Sequence, residues 1–378
     1  MSIGSGHLMA ARAIREALHR LKPHLQVTLY DPIERVFPFF PQWGNAGLAV
    51  TTRYLRSVYG KSWGEERSPW VRWISQWAIW QRSLPAFQDG VVLATHVVPL
   101  RMALHTRERC RKNWRVYGVV TDYGAHGYWP IEGVDGYFVA HEEICEDFIR
   151  RGGRPEKIYP TGIPLRKGFE PGARWQAPQG ERVLQVGILA GGVYSGAYTS
   201  MEAWLREFWE MLEARRDRVH LTVVTGNRET LREQVGRWAQ RSRLEVDVRG
   251  FVNDMVGFMR EQDLLVSKPG GLTVAETLAC GLPLGCLRPG PGAESANVSF
   301  LRRHGLSTHQ KALAKSCSRG INPGCFGPRR SGLWRRACGR SHRGCVCEGG
   351  CSAGWLRRVR RHRCIRSRAP GRSGSRES

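Results

Sequence analysis

The feature that most constrains this chain is an alternation of short apolar runs with helix-period segments that occurs once, stops, and starts again. A helical pattern over Leu8 to Leu21 leads to a strand at Val27-Thr28-Leu29-Tyr30. Val91-Val92-Leu93-Ala94 follows, then a helix from Leu100, strands at Tyr117-Gly118-Val119-Val120 and Gly136-Tyr137-Phe138-Val139, and a helix over Glu142 to Arg151. Pro164 to Gly180 is Pro- and Gly-rich and reads as a linker. Beyond it Arg182–Val186, His220–Val224, Glu245–Val248 and Asp263–Ser267 read as strands, with a helix at Glu202 to Arg215. Strands separated by helices make parallel sheets, so the expectation is two α/β units with a ligand cleft between them.

Composition separates one segment from this pattern. The chain has 378 residues, 58 Lys+Arg against 33 Asp+Glu, and a formal net charge of +25. Of that charge, +16 lies in residues 307–378, which also hold seven of the 11 Cys. That segment contains only eight Leu, Ile, Val or Phe, below what a core requires. It reads as disordered, or as the product of a frameshift near Leu306. Cys345-Val346-Cys347 and Cys351 match no zinc-ligand spacing. The first residues lack the basic and apolar regions of a signal peptide, and no run approaches the ~20 apolar residues of a spanning helix. Scattered cysteines in residues 1–306 fit a reducing compartment, and the expectation is a cytoplasmic protein.

Four motifs carry chemistry. Gly4-Ser5-Gly6-His7 opens onto the first helix, where backbone N–H groups favour an anion and His7 can accept a proton near neutrality. No strand precedes this loop in the chain, so a first strand is expected upstream of it. Ser267-Lys268-Pro269-Gly270-Gly271-Leu272-Thr273 turns from a strand into a helix and aims the N–H groups of Gly271, Leu272 and Thr273 at a phosphate. Glu276, a turn later, is placed to accept from a ribose diol, or is a solvated helix carboxylate. Thr121-Asp122-Tyr123-Gly124-Ala125-His126 ends a strand, where α/β sites form; Asp122 and His126 either orient a hydroxyl or build a plain turn. Trp70, Trp73, Trp77 and Trp80 share one helical face beside Arg67, Arg72 and Arg82, which suits either a membrane interface or a buried face.

Together these motifs resemble glycosyltransferase family 28, with the GT-B fold, in the monogalactosyldiacylglycerol synthase and processive diacylglycerol glucosyltransferase branch. The resemblance runs in order through Gly4–His7, Asp31-Pro32, Thr95-His96, Thr121–Tyr123 with His126 and Trp129, and Thr161-Gly162-Ile163-Pro164. It continues through Gly226-Asn227, Gly250–Met255, Lys268–Glu276, and Pro291-Gly292 with Glu294 and Asn297. It implies two Rossmann-like domains, at 1–165 for the acceptor and membrane and at 166–306 for the UDP-sugar, with the C-terminal helices of the family missing after Gly305.

The same resemblance implies inverting transfer of a hexose from a UDP-sugar to diacylglycerol or a glycosyl-diacylglycerol, without a cofactor or an obligatory metal. His7 is then the base, with Asp122 supporting it or the acceptor. Gly250, Phe251 and Val252 would bind uracil, Gly270, Gly271, Leu272 and Thr273 the diphosphate, Glu276 the ribose, and Glu294 and Asn297 the rest of the donor. His96 and His126 would face the acceptor, and the tryptophans an anionic membrane surface on the inner face; no specific nucleic acid is expected. Ala293 stands where the family carries Gln, which bears on hexose identity. Two other readings stay open. One is a UDP-N-acetylglucosamine-using enzyme of the same fold, either the peptidoglycan N-acetylglucosaminyl transferase or the 2-epimerase. The other is an inactive basic remnant that binds membrane or nucleic acid.

Overall fold

The computed structural model describes residues 5–31, 89–169, 183–191, 201–213, 219–287, 289 and 292–309. The tryptophan stripe, Gly4, Pro291 and most of the basic tail lie outside these residues.

Helix α1 (Ser5–Leu21) comes first, then strand β1 (Gly90–Ala94), α2 (Val97–Arg109), β2 (Trp114–Val119), β3 (Gly136–Val139), α3 (Glu142–Arg150) and β4 (Ile158–Pro160). The four strands form one parallel sheet in the order β1-β2-β3-β4. Then come β5 (Leu184–Leu189), α4 (Met201–Glu213), β6 (Val219–Val224), α5 (Glu229–Arg241), β7 (Glu245–Arg249) and α6 (Met255–Glu261). The described chain ends with β8 (Leu264–Ser267), α7 (Gly271–Cys280), β9 (Leu284–Cys286), α8 (Ala293–Arg303) and β10 (Ser307–His309). These strands make a second parallel sheet, ordered β10-β9-β8-β5-β6-β7.

Parallel sheets are covered on both faces, so their strands read as continuous apolar runs rather than alternating ones. β8 is buried at all four positions, and Val186, Ile188, Leu221 and Val223 of β5 and β6 are fully buried. In the second sheet the chain order reverses between β5 and β8. A crevice opens at the carboxyl ends of strands at such a point. β5 runs there into Gly191, and β8 into Lys268-Pro269-Gly270. One hydrophobic cluster continues from Leu100, Tyr137 and Phe148 of the first sheet's layers to Leu278 and Phe300 of the second's. Tyr123 stacks on Phe300 at 4.4 Å between ring centres, so the two halves share packed side chains.

Four expectations need correction. The first helix starts at Ser5, which puts Gly6 and His7 inside its first turn instead of in a loop before it. First-turn N–H groups have no intrahelical acceptor, so glycine costs little there. Residues 27–30 form no strand, because among the described residues no neighbour supplies a hydrogen-bond ladder. The segment beyond Leu306 does contribute to the fold: Ser307, Thr308 and His309 pair in parallel with Leu284, Gly285 and Cys286. An average over 72 residues hides a strand of three. The described part of the expected linker is also packed, with Leu165 and Phe169 buried.

The strand boundaries otherwise follow the apolar runs closely. α3 is capped by His141, whose Nδ1 accepts from the Glu143 N–H at 3.2 Å. Its first turn carries Glu142 and Glu143 and its last turn Arg150, both favourable to the helix dipole. No helix among the described residues is long and apolar enough to cross a membrane.

Candidate active site

The candidate site lies where the first turn of α1, the loop after β2 and the turn into α7 meet. His7 lies in the first turn of α1. Its Nδ1 is 2.8 Å from Thr121 Oγ1, and its backbone carbonyl accepts from Thr95 Oγ1 at 3.0 Å. Thr95 and Thr121 stand just beyond β1 and β2, so two adjacent strand ends hold the residue. The His96 ring meets His7 edge-on with centroids 4.8 Å apart. His96 also caps α2, its Nδ1 accepting from the Val98 N–H at 3.2 Å. His126 is buried and stacks on Trp129 at 5.6 Å.

The electrostatics of these histidines agree. His7 is partly exposed by area, yet close packing strips its water. That desolvation lowers its pKa, and the nearby Asp122 charge partly offsets it. His96 is held well below the usual imidazole range by burial and by His7 and His126. His126 is pushed down to about 3 by burial, then by Arg151, His7 and Arg101. All three are neutral imidazoles at neutral pH, so each keeps a nitrogen lone pair.

Two arginines, which the sequence pattern did not single out, fix the loop that carries His126. Arg151 donates to the carbonyls of His126, Gly127 and Trp129 at 3.2, 3.0 and 2.6 Å. Arg101 donates to the Tyr128 carbonyl through Nε and Nη2 at 3.2 and 2.8 Å. Four consecutive carbonyls are therefore held by guanidinium forks. Neither arginine belongs to a local motif, and only their three-dimensional proximity reveals them.

The opposite wall is largely backbone. Gly270 caps α7 in an extended conformation, and Gly281 ends the helix at φ 67°, a left-handed geometry suited to glycine. Gly271 packs directly on the first half: a Cβ there would lie 1.9 Å from the Thr121 carbonyl oxygen and 2.8 Å from Asp122 Oδ1. A Cβ on Gly6 would lie 3.6 Å from the Leu272 Cβ, so the first turns of α1 and α7 face each other. Leu272 and Thr273 are half-buried. Glu276 is 6% exposed, and burial pushes its carboxyl up to about 7 despite Arg166 Nη2 at 3.7 Å. Gly250, Phe251 and Val252 follow β7. Phe251 is 61% exposed, while Val252 packs partly against the shared core. Glu294 lies 3.7 Å from Lys268 Nζ.

Asn297 departs from the sequence expectation. It is fully buried, and its carboxamide is engaged inside the protein. Sequence position alone does not separate a side chain that lines a cleft from one that supports its wall.

Paired parallel sheets around such a cleft define the GT-B architecture. Solved structures with this arrangement match the chain. The MurG of Acinetobacter baumannii gives a TM-score of 0.50 at 14% identity, covering 88% of this chain and 91% of that one. The glycotransferase of kitacinnamycin gives 0.53 at 14% identity, covering 93% and 94%. Residues 7–165 match the family described as monogalactosyldiacylglycerol (MGDG) synthase, and residues 197–285 match the glycosyltransferase family 28 C-terminal domain. The chain belongs to glycosyltransferase family 28, of the monogalactosyldiacylglycerol synthase and diacylglycerol glucosyltransferase type.

Curated relatives include two processive diacylglycerol beta-glucosyltransferases. That of Bacillus subtilis (strain 168) is 28% identical over 237 residues, 60% of this chain and 59% of the relative. That of Bacillus pumilus (strain SAFR-032) is 26% identical over 216 residues, 55% and 54%. The chain thus spans less than two thirds of the length of either relative.

Proposed function

We propose that this protein transfers a hexose with inversion from a UDP-sugar to the hydroxyl of diacylglycerol or a glycosyl-diacylglycerol. The observation that carries the reading is His7, a neutral imidazole beside Asp122, set in the helix turn that faces the N-terminus of α7. In a single displacement the acceptor oxygen attacks the anomeric carbon, the bond to the diphosphate breaks, and UDP leaves. His7 Nε2 takes the hydroxyl proton, with its Nδ1–H donating to Thr121 Oγ1. Inversion needs one base and one stabilised leaving group. N–H groups of Gly271, Leu272 and Thr273 at the positive end of α7 suit the leaving diphosphate without an obligatory metal.

In this reading Gly250, Phe251 and Val252 hold uracil, and Gly270 opens the diphosphate turn. Glu276 accepts from the ribose, and Glu294 faces the hexose. His96 and His126 line the acceptor side. Residues 1–165 form the acceptor domain, residues 166–306 form the donor domain, and the tryptophan-rich segment serves to bind an anionic membrane from the cytoplasmic side. Incubating the purified chain with labelled UDP-glucose or UDP-galactose and diacylglycerol micelles tests this. Transfer is expected, and His7→Ala should lower it about a hundredfold or more. Wild-type turnover in that variant removes the base, and no transfer to any diacylglycerol acceptor removes the function.

A further inference from the structure

We infer that Asn297 is a positioning residue for this transfer: from α8 it fixes the Asp122 carboxylate and, through Asp122, the setting of His7 on the other side of the cleft. The inference rests on the reading above. Asn297 is fully buried, and three groups occupy its carboxamide. Its Oδ1 accepts from the Tyr123 N–H at 2.7 Å. Its Nδ2 donates to Asp122 Oδ1 at 3.0 Å and to the Pro269 carbonyl at 2.9 Å. Both amide protons are used, so the side chain acts on the cleft only through these partners.

Those partners are the working parts of both walls. Asp122 follows Thr121, which contacts His7, and its charge is felt by His7. Pro269 leads into the Gly270-Gly271 turn that opens α7. One planar amide therefore ties the loop after β2, the turn before α7 and the body of α8. The Asp122 oxygen that it holds also lies where a Cβ on Gly271 would meet it, so two elements of the second half enclose that carboxylate. The residue type follows from the chemistry. An aspartate at 297 would accept from Tyr123 but could not donate to Asp122, and an apolar residue would leave Asp122 Oδ1, the Tyr123 N–H and the Pro269 carbonyl without their partner.

A mutant cycle on the full chain tests the coupling. His7 is followed by NMR titration of its ring, assigned with His7→Gln; Asp122, His96, His126 and the N-terminal amine are the titratable groups that act on it or on its neighbours. Asn297→Ala is expected to lower the His7 midpoint by about half a pH unit, because a released Asp122 supports the imidazolium less. The same change in an Asp122→Asn background should then move nothing further. In turnover, Asn297→Ala should cut kcat about tenfold and leave KM for UDP-hexose within about twofold. Should the alanine variant unfold, Asn297→Leu stays close to the side-chain shape without its donors, and a lowered His7 midpoint is expected there as well. A folded variant with the wild-type His7 midpoint, or equal shifts in both backgrounds, overturns the inference. The titration stands apart from turnover: a wild-type chain that transfers no hexose would strike the proposed function alone.

Discussion

The two walls of the cleft solve different problems with different chemistry. The first half presents side chains: three histidines, an aspartate, and a loop clamped by Arg101 and Arg151. The second half brings mostly backbone, at the Gly270–Thr273 turn, with carboxylates at Glu276 and Glu294. Burial acts on both but in opposite directions, lowering the histidines and raising Glu276 to about 7. In each case it penalises the charged form. One wall is thereby left with neutral proton acceptors. The other holds a carboxyl that ionises close to neutrality, beside the helix end best suited to an anion.

The largest expected effect breaks the contact between the walls. Gly271→Ala puts a methyl group against the Thr121 carbonyl and should cost about 3 kcal/mol, read as a lowered urea midpoint. Next is Glu276→Gln. Raised from 4.5 to about 7, this carboxyl costs the folded state stability as pH climbs through that window, with no further loss above it. The glutamine variant should therefore be more stable at pH 8, by on the order of 2 kcal/mol, while binding UDP-sugar at least tenfold more weakly. A variant that gains stability and keeps its affinity would remove Glu276 from the donor site.

The histidine wall predicts the reverse pH dependence. His126 falls from 6.5 to about 3, so the unfolded chain binds protons first as pH drops below about 6.5. Stability should fall by roughly 1–2 kcal/mol between pH 6.5 and 5, and His126→Gln should flatten that slope in urea titrations. The smallest effect belongs to the clasp at the edge of the two halves. Glu143 accepts from Arg303 Nη2 at 2.6 Å and lies 2.6 Å from His304 Nε2. Burial raises the Glu143 pKa, but these hydrogen bonds outweigh it and hold the carboxyl below its usual range. Because the pair is half open to water, Glu143→Gln should cost no more than about 1 kcal/mol in thermal unfolding.

Much of the frame was legible in the sequence. β3, β6 and β8 lie where the continuous apolar runs place them, because a strand buried on both faces must be apolar throughout. The turn into α7 was legible for a similar local reason: Pro-Gly-Gly after a buried strand permits one tight exit. Residues 27–30 were misread because β propensity does not supply a pairing neighbour. Residues 307–309 were misread because a neighbour, β9, recruits them despite their surroundings.

By itself, then, the sequence determined the alternation of elements, the glycine turn into α7 and the residues able to carry charge or protons near it. Only the tertiary structure decided which of those residues meet. His7 and Thr121 are separated by 114 positions and Asp122 and Asn297 by 175, yet each pair is within hydrogen-bond distance. The structure also decided that Asn297 is buried against Tyr123, Asp122 and Pro269, that Arg101 and Arg151 hold a loop, and that buried groups change their titration. Local pattern reports the period of a segment, whereas burial and cross-chain hydrogen bonds exist only once distant segments pack.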